Sequence, residues 1–234
     1  MKKKLFSLTL VIMLLFLIPS SVLANELGLS VVETDAVGII EVEPDICYIN
    51  LNVITEATSS TLSQQQNAGA VNKVMQSMIN NGIQKKDITT GRFSTYNYKE
   101  KESSAIKYIT NSSMKITVKD LDKVGLLLTE LAKFKDVNIS NVGYDVADVA
   151  KYKQAAINQA IKEARENIEM TAKSLGMTLD KVQRVRISFH HSSSVIPIYA
   201  VKGEAMMENL ATPQPQNPEN IRISASVHLE YSIK

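Results

Sequence analysis

Apolar and polar residues alternate without interruption in Ile221-Arg222-Ile223-Ser224-Ala225-Ser226-Val227-His228-Leu229-Glu230-Tyr231-Ser232-Ile233, near the C-terminus. Because successive side chains of a β-strand point to opposite faces, this alternation predicts a long strand with one buried face and one solvated face. Such a strand belongs to a sheet that is covered on one side only. The remaining sequence indicates what covers it.

Residues 149–175 predict the longest helix of the chain, ended by Gly176. Small residues recur at every fourth position and form one narrow stripe along it. The stripe consists of Ala156, Ala160, Ala164, Ile168 and Ala172. Side chains four residues apart lie on the same side of a helix, so this stripe predicts close packing on a sheet.

The other elements follow from the same periodicities. Alternation predicts strands at about 37–42, 46–54, 88–98, 114–118, 137–146 and 182–189. Apolar residues spaced by three and four predict helices over 60–81 and 121–131, the second capped by Asp120. The predicted fold class is α+β, a largely antiparallel sheet with helices packed on one face, in the order β-α-β-β-α-β-α-β-β.

The first residues predict export. Lys2, Lys3 and Lys4 precede an apolar run at 5–18, and Ala24 ends a short cleavage site, so residues 1–24 are predicted to be a signal peptide. The predicted location is extracytoplasmic: secreted, cell-envelope or periplasmic. The alternative is a chain that stays membrane-anchored by an uncleaved 5–18 segment.

Charge excludes two classes of partner. Residues 1–24 hold three of the 26 basic residues and none of the 24 acidic ones, so the remaining chain has a net charge of −1. It contains no cluster of Lys and Arg of the kind that binds nucleic acid or an anionic membrane. We therefore expect no nucleic-acid partner, and no integral membrane insertion after signal cleavage.

The sequence offers no recognisable catalytic, cofactor or metal site. Its histidines are His190, His191 and His228, without HExxH or CxxC spacing, and adjacent histidines in a strand point to opposite faces. The acidic pairs Asp145/Asp148 and Asp120/Asp122 stand at predicted helix starts, where helix capping accounts for them. Cys47, the only cysteine, lies in an alternating run and is predicted to be a buried apolar residue.

The stretch from about 190 to 220 is the least regular and is predicted to be a long loop. It contains the apolar segment 195–199 and three prolines between 213 and 218. A loop of this length inside a compact domain is mobile or is used for contact. We expect it to cover part of its own sheet or to meet a partner.

Several short motifs resemble the SIMPL domain family in order and spacing. They are Val37-Gly38-Ile39-Ile40-Glu41-Val42-Glu43-Pro44-Asp45, then Asn67, Gly82-Ile83, Asp87-Ile88-Thr89-Thr90, Tyr96 with Tyr98, Val118-Lys119-Asp120-Leu121-Asp122-Lys123-Val124-Gly125, and the alanine-stepped helix ending at Leu175-Gly176. The resemblance covers residues 31–234, the predicted domain. Ala36 and Lys107 stand where the family commonly has glycine, which affects backbone freedom and no chemistry.

The resemblance implies a bacterial periplasmic or surface protein. Some members are associated with oxidative-stress defence, others are immunogenic antigens, and one branch resembles a ring-like or channel-like homo-oligomer. The family supplies no agreed catalytic site, so we expect no enzyme and no cofactor. The leading hypothesis is a self-associating envelope protein, a homo-oligomer. The alternatives are a binder of a small or hydrophobic ligand between the sheet and loop 190–220, and an uncharacterised hydrolase.

Overall fold

A computed structural model describes residues 30–99, 105–197 and 219–234. The predicted signal peptide and most of the predicted loop at 190–220 lie outside these residues. The helices and strands are β1 Val31–Val42, β2 Ile46–Ala57, α1 Ser60–Asn80, β3 Ile88–Lys99, β4 Ile106–Val118, α2 Val124–Ala132, β5 Val137–Asp145, α3 Val149–Ser174, β6 Leu179–Ser192, β7 Ser194–Pro197 and β8 Ile221–Ile233.

The larger sheet contains five antiparallel strands in the order β3-β4-β2-β5-β7. Helices α1 and α2 cover one face of it. Alternate residues of β2, Cys47 to Val53, are almost completely buried against Val74 and Met78 of α1 and Leu127 of α2. Burial of this apolar surface is the main force that holds the helices to the sheet.

The smaller sheet has the order β1-β8-β6, and helix α3 packs on β1 and β8. The alternating C-terminal strand is β8, the central strand, and its Ile221 to Leu229 positions alternate between buried and less buried as predicted. The alanine stripe of α3 is buried along its whole length, which confirms the predicted packing face. A Cβ placed on Gly38 of β1 would lie 2.0 Å from the Ala156 carbonyl oxygen, so helix and strand touch backbone to backbone.

The α+β class and the antiparallel pairing are confirmed, and the strands divide into two sheets. β1 leads through Glu43-Pro44-Asp45 into β2, and β6 leads through Ser193 into β7, so each pair passes from the smaller sheet to the larger. Pro44 has no N–H to donate to a ladder, and it stands where β1 ends and the chain changes sheets.

Most predicted helix ends are confirmed. Ser59 caps α1 by accepting a hydrogen bond from the Leu62 N–H, and α1 ends before Gly82, whose φ is 92°. The prediction that Asp120 caps the second helix is wrong. A short 3₁₀ turn at Leu121–Lys123 precedes α2, and the Asp120 carboxylate makes an ion pair with Lys123 instead.

The predicted irregular stretch begins later than expected. Residues 190–192 continue β6, and residues 194–197 form β7, which pairs with Asn141–Tyr144 of β5. The apolar residues 195–197 therefore belong to an edge strand of the larger sheet and not to a loop. None of the helices in the described ranges is long and apolar enough to cross a membrane.

Candidate functional site

Strand β6 presents an uncovered apolar strip. Val182, Val185 and Ile187 are 49%, 52% and 46% exposed. Val185 pairs with Leu229 and Ile187 with Val227, so these side chains share the face on which α3 lies. Their β8 partners are buried beneath α3, whereas the β6 strip is open. The same apolar face of the sheet is therefore buried at β8 and exposed to solvent at β6.

The strip is open because of where α3 sits. Residues of α3 pack mainly on β1 and β8 and hardly touch β6. The backbone contact at Gly38 and the small side chains of the stripe draw the helix toward the β1 side. A helix about 10 Å wide covers roughly two strands spaced about 4.8 Å apart, and the third strand remains bare.

A groove of about 460 Å³ follows α3 on its exposed side. Ile161 contributes an apolar surface, and the charged residues on either side of it form the helical pairs Lys162–Glu166 and Arg165–Glu169. The side-chain charges balance within the groove. Its chemistry favours contact with protein more than capture of an anion or a cation.

The outer edge of β6 is also free, because no strand in the described part of the chain pairs with it. The same holds for the outer edge of β1. On the face away from α3, β1 carries Glu33 and Asp35, while β6 carries Arg184 and Arg186. The two open edges of one sheet therefore differ in charge sign.

One cluster on that face has metal-ligating atoms. Single ligand atoms of Glu33, His228 and Glu230 lie within 4.8 Å of one another. Each of the two β8 residues already has a protein partner: His228 Nδ1 lies 3.1 Å from Asp35 Oδ1, and Glu230 pairs with Arg184 at 3.2 Å. The cluster is part of a network of polar contacts across the three strands.

The adjacent histidines separate as the strand period requires. His190 is exposed, and His191 Nε2 lies 2.8 Å from Asp145 Oδ1. Asp145 Oδ1 also accepts a hydrogen bond from the Val146 N–H, and Asp148 caps α3 by accepting from the Lys151 N–H. In the described ranges no serine, threonine or cysteine is hydrogen bonded to His191 or Asp145. The contact joins the ends of β5 and β6, where the two sheets meet.

Cys47 is completely buried in β2 against the core of the larger sheet. Burial raises the pKa of its thiol to about 12. At neutral pH the side chain is a thiol and not the reactive thiolate. The prediction of a buried apolar role is confirmed.

The local sequence pattern does not predict that one face of β6 is uncovered. Val185, Ile187 and Phe189 alternate with Arg184, Arg186 and Ser188, which is the pattern of a strand with one covered face. The exposure depends on how many strands one helix covers. That number depends on sheet order, which the local pattern does not contain.

These features define a two-sheet α+β protein with a bare, apolar sheet edge. The chain belongs to the SIMPL family, described as proteins of unknown function (DUF541), whose sequence pattern matches residues 32–231. It is 29% identical over 214 residues to the 26 kDa periplasmic immunogenic protein of Brucella melitensis biotype 1, covering 84% of this chain and 82% of that protein.

Two uncharacterized proteins named YggE are also similar. The one from Edwardsiella ictaluri is 28% identical over 170 residues, which is 71% of this chain and 70% of the relative. The one from Escherichia coli K12 is 28% identical over 195 residues, which is 81% of this chain and 76% of the relative. The alignments extend over most of both chains in each case.

Proposed function

We propose that this protein is an exported, non-enzymatic envelope protein that associates with copies of itself through the edge of β6. The periplasmic name of the Brucella relative supports the location. The main observation in favour of association is the apolar strip of Val182, Val185 and Ile187. These side chains are about half exposed, although they lie on the sheet face that α3 covers at β1 and β8. Contact with another subunit would remove this surface from water.

The β1 edge of a second copy is the partner that fits best. Edge-to-edge pairing would satisfy the free backbone N–H and C=O groups of both strands. It would also bring the carboxylates of Glu33 and Asp35 toward the guanidinium groups of Arg184 and Arg186. Opposite charges across an interface favour one pairing over others, here β1 with β6 rather than β6 with β6.

Helix positions support the same pairing. In a continued sheet the α3 helix of one copy, which lies over its own β1, would stand beside the bare β6 of the next copy. The contact joins two different surfaces, so it is head-to-tail, and repetition closes into a ring when the rotation permits.

The test measures the mass of residues 25–234 in solution by sedimentation velocity. We expect a species larger than one subunit. Val185→Glu should shift it to monomer, because a carboxylate in the strip cannot be buried unpaired. Leu126→Glu on α2 is the matched control, since Leu126 is also 52% exposed, and it should leave the mass unchanged. A monomeric parent, or equal masses for parent and Val185→Glu, contradicts the proposal.

Arg186→Glu separates the two possible pairings. If β6 meets the acidic edge of β1, the reversed charge should weaken association about tenfold or more. If β6 meets β6, arginines face arginines in the parent, so reversing one of the two charges leaves or relieves the repulsion and association should not weaken. Arg222→Glu on β8, an exposed position on the same face near the other end of the strand, controls for net charge.

Neither alternative function is favoured by an observation on its own site. A ligand site under loop 190–220 falls largely outside the described residues. The His191–Asp145 pair has no hydrogen-bonded nucleophile in the described part of the chain. A link to oxidative-stress defence would depend on the assembly rather than on thiol chemistry, because Cys47 is buried and its thiol pKa is raised to about 12.

A further inference from the structure

A crevice of about 250 Å³ opens between α1 and the β3–β4 hairpin. Asn67 and Ser112, 0% and 7% exposed, form its floor, Val71 and Phe93 form its walls, and Asn72 and Thr90 stand at its mouth. The apolar walls with a few converging polar groups are typical of small-molecule sites. The crevice is on the larger sheet, away from the association surface.

The floor presents hydrogen-bond acceptors only. Both amide hydrogens of Asn67 are used, since Nδ2 donates to the carbonyl oxygens of Val53 at 2.8 Å and Thr110 at 3.1 Å. Ser112 donates its hydroxyl hydrogen to Asn67 Oδ1. The remaining capacity consists of lone pairs on Asn67 Oδ1 and Ser112 Oγ. A molecule seated on this floor must therefore donate a hydrogen bond.

A β-bulge aims an aromatic ring at the crevice. Thr90 pairs with Met114, but Phe93 pairs with Ser112, so β3 contains one extra residue between them. Uninterrupted alternation would put Phe93 on the opposite face from Thr90, and the bulge brings both to the helix side. Ser113 fixes the bulge by accepting a 2.7 Å hydrogen bond from the Arg92 N–H.

Phe93 remains 58% exposed although it faces the helix layer. Its ring thus gains little from burial and is available to pack against a flat molecule. Bulges often redirect a side chain near a functional site, which fits this arrangement. A packed hydrophobic core would have buried the ring.

The mouth adds two polar groups without partners. In the described part of the chain, neither the Asn72 amide nor the Thr90 hydroxyl has a hydrogen bond. None of the described lining residues carries a charge. A charged ligand would lose its hydration without a counter-charge, so the crevice favours a neutral one.

We propose that this crevice binds a small neutral molecule with one six-membered ring and at least one hydrogen-bond donor. The ring packs on Phe93 and Val71, the donor reaches the acceptors of Asn67 and Ser112, and further polar groups of the molecule bond Asn72 or Thr90. The volume is below the roughly 300–1,000 Å³ of pockets for drug-sized ligands, so a single ring is the size that fits. Two sources share this chemistry: a monosaccharide and an aromatic amide.

The experiment titrates ¹⁵N-labelled residues 25–234 with glucose and, separately, with benzamide, and follows amide chemical shifts. We expect one or both probes to give saturable shifts in the millimolar range, centred on the side-chain amides of Asn67 and Asn72 and on residues 90–93. The probe with the higher affinity identifies the source. No saturable shift at these positions with either probe overturns the proposal.

Variants assign the binding to this crevice. Phe93→Ser should weaken binding at least fivefold. The matched control is Tyr96→Ser on the same strand, because Tyr96 is 55% exposed and faces the opposite side of the sheet. Asn72→Ala tests the mouth with no buried group removed. Unchanged affinity in Phe93→Ser, or an equal loss in Tyr96→Ser, means that the probe binds elsewhere and overturns the proposal.

Discussion

Two glycines show how sharply position decides the effect of one methyl group. At Gly38 an added Cβ would lie 2.0 Å from the Ala156 carbonyl oxygen and 2.7 Å from the Ala160 nitrogen. Both are backbone atoms, which a side-chain movement cannot relieve. At Gly69, in α1, an added Cβ meets nothing within 4 Å.

Gly38→Ala should therefore lower the free energy of unfolding by about 3 kcal/mol, the upper part of the overpacking range. Gly69→Ala should raise it by about 0.5–1 kcal/mol, because alanine is the better helix former. Urea denaturation of both variants measures the difference. A Gly38→Ala protein as stable as the parent would mean that α3 does not lie against β1.

Cys47 gives a pH prediction. The ordinary thiol pKa is 9.0, and burial raises the pKa of Cys47 to about 12 in the folded protein. Between these values the unfolded state has lost a proton that the folded state keeps. The free energy of unfolding should thus fall as the pH rises above 9, by at most about 1.4 kcal/mol per pH unit for this group.

Cys47→Ala should remove most of the fall near pH 9, where Tyr48 and Tyr144 are still mostly protonated in both states because their ordinary pKa is 10.0. Urea unfolding at pH 8, 9 and 10 compares the slopes. Alkylation should label Cys47 slowly in the native state and quickly in urea. Equal pH slopes, or rapid native labelling, would show that the thiol is accessible.

Among the elements, α3 is the one whose packing the sequence predicted most fully. Five small or apolar residues at a spacing of four define its buried stripe, and the structure buries all five. The helix ends at Gly176, whose φ of 69° is readily adopted by glycine. Local spacing contains this information, because a helix face depends only on its own residues.

Ala164→Leu should destabilise the protein by about 1–3 kcal/mol, since Ala164 is completely buried between α3 and β8 and has no room for three more carbons. The adjacent Glu163 is exposed, so Glu163→Leu should change stability by less than about 0.5 kcal/mol. Thermal unfolding of the pair measures the contrast. If both variants were as stable as the parent, the alanine stripe would not be the face of α3 that packs on the sheet.

At two elements the local sequence pattern predicts a structure that differs from the one observed. The sequence predicts a loop at 195–197 because a short apolar run with proline shows no periodicity, yet these residues pair with β5. Asp120 has the residue type of a cap, but a 3₁₀ turn separates it from α2. In both cases the outcome depends on neighbouring structure beyond the local pattern.

At the scale of the whole molecule, the sequence predicted the strands and the fold class but not their division into two sheets. Strand pairing is a long-range property: β1 pairs with β8 across most of the chain, Val31 with Ser232 for example. The bare edge of β6 follows from that division, because three strands share one helix. The candidate association surface therefore depends on the sheet order, which the local sequence pattern does not contain.

The proposed contact covers β6 with another copy in solution. Hydrogen–deuterium exchange of residues 25–234 at two protein concentrations tests it most directly. Residues 179–192 should exchange more slowly at the higher concentration, while β3, an edge strand of the other sheet, should exchange equally at both. Exchange of β6 that is fast and independent of concentration would contradict the claim.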